Sequence, residues 1–248
     1  MHLAKASGLL LLCLLLCTGG GARNVADPPH LTTILEQLGL DSGRVYRDHL
    51  TYTSDPGNSE QMLYVIPVLA EDEEPTPDYF ALDGHFVTAD RRTGQVRQHL
   101  HLDVHALGWT SDAIRLSAIT IDRGRYYLRE GQRAWGVRTD WYGSSRPNPY
   151  ARTSLLLLPE GKTLVPVLRD YEVGTYRGDW DTQCAGNFLE TTATLHLLPT
   201  QHSGLFDIEV RRTLTERSQA EGKAGDCVEI EMERTVRDTL RAVDGRYW

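Results

Sequence analysis

The sequence has little lysine, few cysteines and no excess of positive charge. Lysine occurs only at positions 5, 162 and 223, so almost every basic residue is arginine, a bias that carries no functional weight. Acidic residues outnumber basic ones by 34 to 26, a formal net charge of −8, and this balance argues against nucleic acid and anionic membrane surfaces as partners. There is no Gly-x-Ser-x-Gly elbow, no phosphate-cradling glycine loop and no dinucleotide fingerprint. Those absences remove the positive case for the corresponding enzymes without excluding catalysis. No repeat recurs at a fixed period, so propellers and solenoids are not expected.

Only one apolar run approaches the length of a membrane span. It covers residues 9–17, behind the single charge of Lys5 and ahead of small residues at 18–22. It falls short of the roughly 20 residues a span needs, so residues 1–22 are expected to be a secretory signal peptide cleaved after Ala22. An uncleaved anchor is the rival. Lipidation at Cys17 is a second alternative, although leucines stand at 14–16 where a lipoprotein signal places small residues. Cleavage would remove Lys5 alone among the charged residues and leave a net −9. The expected product is one exported domain, residues 23–248, periplasmic or extracellular, with no transmembrane span. Of the four cysteines only Cys184 and Cys227 survive cleavage, and in an oxidising compartment they are expected to be bonded.

The segment with the clearest fold signal runs from Thr153 to Trp180. The apolar run Ser154-Leu155-Leu156-Leu157-Leu158 is followed by Pro159-Glu160-Gly161-Lys162, and Thr163 to Leu168 resumes it. Prolines at 159 and 166 would each cost a helix about 3 kcal/mol, so a β-hairpin is expected, with Pro159 at the second turn position and Pro166 at an edge or bulge. One short helix is expected, from Leu31, Ile34, Leu35 and Leu38 at helical spacing ahead of Gly39. Strands are expected at 62–66, 79–87, 95–104, 114–121, 126–128 and 134–139. Segments 206–214 and 228–236 alternate apolar with polar residues, the pattern of half-buried antiparallel strands joined by the polar loop 218–225. Charge pairing selects a register with Arg211 opposite Glu233, Asp207 opposite Arg237 and Cys227 opposite Arg217, since a shift of two residues sets Glu209 against Glu233. The fold class is all-β, an antiparallel sandwich or open barrel with one short N-terminal helix.

Four stretches could carry chemistry. His99, His101, Asp103 and His105 would share one face of a strand, and imidazole with carboxylate suits zinc or a similar metal. This pattern resembles the His-x-His-x-Asp-His signature of metallo-β-lactamase-type hydrolases. It departs from it at Val104, and the strand–helix alternation of that fold is missing. Same-face neighbours on a strand also stand nearly 7 Å apart, too far for all four to meet one ion without a bend. Asp179, Asp181, Gln183, Ala185, Asn187 and Glu190 follow calcium-loop spacing, but Cys184 stands where the loop needs glycine. The acidic run 71–74 fits a solvated loop better than a calcium site. Trp141, Tyr142, Arg146 and Tyr150 flank a loop broken by Gly143, Pro147 and Pro149, and flat rings beside Arg and Asn suit a saccharide, peptide or protein ligand.

The functional expectation is therefore a non-catalytic binding or envelope-associated β domain needing no cofactor, with a metal-dependent hydrolase using His99, His101, Asp103 and His105 as the contrasting possibility. Protein recovered after export is expected to begin at Arg23 and, denatured without reductant, to show no free thiol. An intact Met1 or two titratable thiols would contradict this.

Overall fold

The computed structural model describes residues 27–71, 75–76 and 79–248. The signal peptide and most of the acidic run lie outside the described residues. Helix α1 (Leu31–Leu38) precedes β1 (Thr51–Asp55), β2 (Asn58–Leu69), β3 (Phe80–Asp90) and β4 (Val96–Leu102). Helix α2 (Val104–Leu107) and β5 (Thr110–Ser111) lead to β6 (Ile114–Arg129), β7 (Gln132–Gly143), β8 (Tyr150–Glu160) and β9 (Thr163–Trp180). Then follow β10 (Gly186–His202), β11 (Leu205–Glu221), β12 (Cys227–Leu240), β13 (Ala242–Val243) and β14 (Arg246–Tyr247).

The chain is mostly β, as expected, in one large sheet nearly closed into a barrel. Its order is β1-β2-β3-β4-β9-β10-β11-β12, and β8, β7 and β6 branch from β9. The sheet is mixed rather than antiparallel throughout, because β4 meets β9 in parallel at His99 and Thr163. Across the remaining gap Arg133 of β7 forms an ion pair with Asp55 of β1 at 2.7 Å.

Helix α1 has the expected bounds. Leu31, Ile34 and Leu35 are buried, and Gly39 ends it at φ 67°, a left-handed conformation that glycine adopts without penalty. A second helix, α2, follows where the sequence pattern predicts strand. The expected strand 95–104 stops at Leu102 because the Asp103 carboxylate accepts from Ala106 N at 2.7 Å and caps α2. Segments 114–121 and 126–128 are one strand, β6, whose register shifts between Asp122 and Tyr126.

Strands β8 and β9 form the expected hairpin with a tighter turn. Glu160 pairs with Thr163, leaving Gly161 and Lys162 as the turn, with Gly161 at φ 58°. Pro159 therefore lies in the ladder opposite Leu164, not in the turn. A two-residue turn needs positive φ at its first position, which Gly161 supplies and proline cannot. Pro166 sits beside a bulge, since Leu156 pairs with Leu168 and Leu157 with Pro166.

Strand β8 joins two cores. Leu155 and Leu157 face the inner cluster with Phe86, Trp135 and Val137, while Leu156 and Leu158 face an outer cluster with Ile208 and Val210. A third cluster seats α1 on Tyr64, Ile66 and Val87.

The C-terminal hairpin corrects two expectations. Arg211 pairs with Arg237, Thr215 with Glu233, Arg217 with Glu231 and Glu221 with Cys227. The expected register would have left residues 218–226 unpaired, whereas the observed one leaves only 222–226, so the shorter loop outweighs one like-charge pair. That pair is relieved by Glu209, which accepts from Arg211 and lies 4.0 Å from Arg237. Strand β12 is also not half-buried: every residue but Leu240 is exposed, because among the described residues no layer covers either of its faces. Cys227 is bonded to Cys184, Cα atoms 5.2 Å apart, tying the start of β12 to the β9–β10 turn.

Truncations should reveal this division. Leu156→Ala and Leu157→Ala, each at a residue with 0% exposure, are expected to cost about 2–5 kcal/mol. Ile230→Ala on β12 should stay within about 0.5 kcal/mol. Denaturant unfolding measures all three, and equal losses would contradict the assignment of the core.

Candidate functional site

A row of aromatic rings crosses the outer face of the sheet near the top of β7 to β10. Tyr142 pairs with Tyr150, Tyr150 with Tyr176, and Tyr176 with Glu190, so all four side chains share one face. Phe188, two residues before Glu190, points the same way. The Tyr150 and Tyr176 rings are 6.1 Å apart and inclined by 18°, and those of Tyr176 and Phe188 are 6.2 Å apart and inclined by 3°.

Glycines make the row possible. A Cβ on Gly178 or on Gly186 would stand 2.7 Å from the Phe188 ring, so the ring lies down over two positions without side chains. Polar groups border the rings. Glu190 accepts from Tyr150 Oη at 3.0 Å and pairs with Arg217 at 3.1 Å. Arg146, from the β7–β8 loop, sits 6.0 Å from the Trp180 ring, within cation–π range. Burial, and then the neighbouring Glu190 carboxylate, raise the pKa of Tyr150, so its hydroxyl stays a donor.

An open cleft of about 260 Å³ beside Arg146 is lined by Asn148, Tyr176, Trp180 and Phe188, and one of about 290 Å³ adjoins Tyr142 and Tyr150. Of the four residues singled out from sequence, Arg146 borders the first opening and Tyr142 and Tyr150 the second, which is also lined by Trp141, Ala151 and Thr175 of the opposite face. Trp141, one residue from Tyr142 on β7, turns to the opposite face and packs partly buried against the inner cluster, while its rim reaches the second cleft.

The histidines are arranged otherwise than expected. His99 and His101 share the outer face of β4, but Asp103 is spent on the cap of α2 and His105 lies exposed on that helix. The third imidazole is instead His85 of β3, directly opposite His101, with Nδ1 3.0 Å from Nε2 of His99. Asp83 lies 3.5 Å from His101. Among the described residues no three His, Cys, Asp or Glu side chains form a group able to hold a metal ion. The calcium-type spacing opens into a turn and two strands: Asp181 accepts from Gln183 N and Ala185 N at 2.7 and 3.0 Å, and Asp179 and Asn187 are strand partners.

Sequence reasoning missed Tyr176, Trp180, Phe188 and Arg217, along with His85, and placed Glu190 in a calcium-type spacing instead of beside Tyr150. Counting back from the β8–β9 turn would not have found Tyr176, because three register shifts separate the Glu160–Thr163 pair from the Tyr150–Tyr176 pair, and Phe188 lies diagonal to Tyr176, whose direct partner is Glu190. Comparison with protein-family models, curated proteins and solved structures gives no match.

The histidine cluster carries a pH dependence. Burial, and then the nearby charges of His101 and His99, push the His85 pKa down to about 3, and burial followed by His101 lowers that of His99. An unfolded imidazole takes its proton near pH 6.5, so below that value the unfolded chain binds more protons than the folded one. This contribution to stability is complete above about pH 6.5 and is lost as the pH falls toward 3. Denaturant midpoints measured from pH 7 to 4 should fall less steeply for His85→Gln than for the natural protein, and equal slopes would contradict this.

Proposed function

We propose that this is an exported, non-catalytic β protein that binds a saccharide chain along the row Tyr142, Tyr150, Tyr176 and Phe188. The observation that supports this most is the near-parallel setting of Tyr150, Tyr176 and Phe188, spaced 6.1 and 6.2 Å apart over Gly178 and Gly186. Sugar rings present flat C–H faces that pack on aromatic rings and hydroxyl edges that need hydrogen-bond partners. Arg146, Glu190, Arg217 and the tyrosine hydroxyls offer such partners at the border of the row. An aromatic surface with few convergent polar groups is the usual make-up of a recognition site. Export is supported by the composition of residues 1–22 and by the Cys184–Cys227 bond, which suits an oxidising compartment. No helix among the described residues is long and apolar enough to cross a membrane.

The hydrolase alternative gains less support, because Asp103 and His105 stand apart from His99 and His101. Affinity electrophoresis through gels containing soluble neutral polysaccharides tests the proposal. At least one polysaccharide should retard the natural protein, and Tyr176→Ala should weaken that retardation about tenfold or more, the loss expected of a central aromatic contact. Free migration in every gel, or undiminished retardation of the variant, would overturn it.

A further inference from the structure

Strand β12 ends the sheet, and among the described residues no strand pairs with its free side, along which residues 227–239 are exposed. Its pairing with β11 runs without a bulge, and residues 227–240 contain neither proline nor lysine. Bulges, prolines and lysines are among the devices by which natural edge strands block further pairing; the charges β12 does carry are of both signs, Glu229, Glu231, Glu233 and Asp238 with Arg234 and Arg237. The opposite edge is protected differently: β1 has only 5 residues and shifts register between Ser54 and Asp55. On β12, Glu229, Glu231 and Glu233 occupy one face and Val228, Ile230 and Met232 the other, with Ile230 and Met232 each 62% exposed. A long, flat, partly apolar edge of this kind is a template for another strand.

We propose that β12 is a dimer interface, on which a second copy of the chain lays its own β12 antiparallel across a two-fold axis perpendicular to the sheet. The strand is complementary to its own reverse. Its first half carries Glu229, Glu231 and Glu233, its second half Arg234, Arg237 and Asp238, so antiparallel pairing can set Glu231 against Arg237 where in-register parallel pairing would set every charge against its own copy. An isologous contact pairs residue i with j and j with i, and keeping each face continuous restricts the register to residues of equal parity.

Ladder length leaves two choices: residues 227–239 centred on Glu233, or 228–240 centred on Arg234. In the first, Glu233 meets its own copy with no cation beside it among the described residues. In the second, Arg234 meets its copy while each Arg234 lies 3.6 Å from Glu216 of its own hairpin. The second also sets Glu231 against Arg237 of the partner subunit and Met232 against Val236 of the partner subunit, each twice. It places Val228 beside Leu240 and leaves Ile230 opposite Asp238. The register centred on Arg234 is therefore assigned. The inference does not depend on what the aromatic row binds.

Sedimentation equilibrium of the full exported chain, disulfide intact, tests this. The expected mass is twice that of one chain, falling toward one chain on dilution. A single monomeric species at every soluble concentration, or assemblies larger than two, would overturn the proposal. Met232→Lys combined with Val236→Lys places four like charges across the interface at exposed positions, so it should remain folded by circular dichroism and become monomeric; a folded variant that stays dimeric locates the contact elsewhere. Directly opposed strand residues lie about 4.5–5.5 Å apart at Cα, within disulfide reach. Arg234→Cys should accordingly give a cross-linked dimer on oxidation, and cross-linking by Glu233→Cys in its place would overturn the register.

Discussion

Two hydrophobic clusters meet on one strand, and the rest of the molecule depends on that meeting. Leu155 and Leu157 enter the inner cluster, and Leu156 and Leu158 enter the outer one. Complete burial of a leucine is worth about 1.5–3 kcal/mol relative to exposure, so these four residues anchor both layers through a single stretch of backbone. A strand buried on both faces cannot alternate polar with apolar residues, which is why this run is continuous. Its partner β9 is long enough to pair with β8 along its length and with β10 at its far end.

That arrangement separates the supporting core from the proposed recognition face. The lower parts of β8 and β9 lie between two clusters, while their upper parts, with β7 and β10, carry side chains that no other layer covers. The aromatic row occupies this uncovered upper face, held by cross-strand pairing and by the chain of contacts from Tyr150 through Glu190 and Arg217 to Glu231. Rings on a rigid, paired sheet lose little freedom on binding, an advantage over the same rings on a loose loop. Strand β12 extends the upper sheet further and contributes almost nothing to the cores. Its apolar residues are explained by association and not by folding of the single chain.

Much of the fold is written locally. The spacing of Leu31, Ile34, Leu35 and Leu38 with Gly39 marks helix α1, and the leucine run framed by Pro159 and Gly161 marks β8 and β9. Tyr142 and Tyr150 can be seen as neighbours because they close one short loop. What stays hidden is set by pairing between distant segments. His85 joins His99 and His101 only because β3 and β4 are partners, and Tyr176 and Phe188 join Tyr150 only through the order β8, β9, β10. Alternation in residues 228–236 correctly sorts the side chains onto two faces, but periodicity does not say whether anything covers a face. Charge pairs worth about 0.2–1 kcal/mol each did not decide the β11–β12 register against a connecting loop four residues shorter. The capping carboxylate of Asp103 likewise outweighed the strand pattern around it.

Residue-resolved hydrogen exchange tests the division between the supporting core and the proposed recognition face most directly. Amides of residues 155–158 are expected to exchange only through global unfolding, with a free energy equal to that from denaturant titration, while those of Tyr142, Tyr150 and Ala151 exchange through smaller local openings. Equal protection along the whole of β8, or greater protection at the aromatic end than at the leucines, would contradict the account.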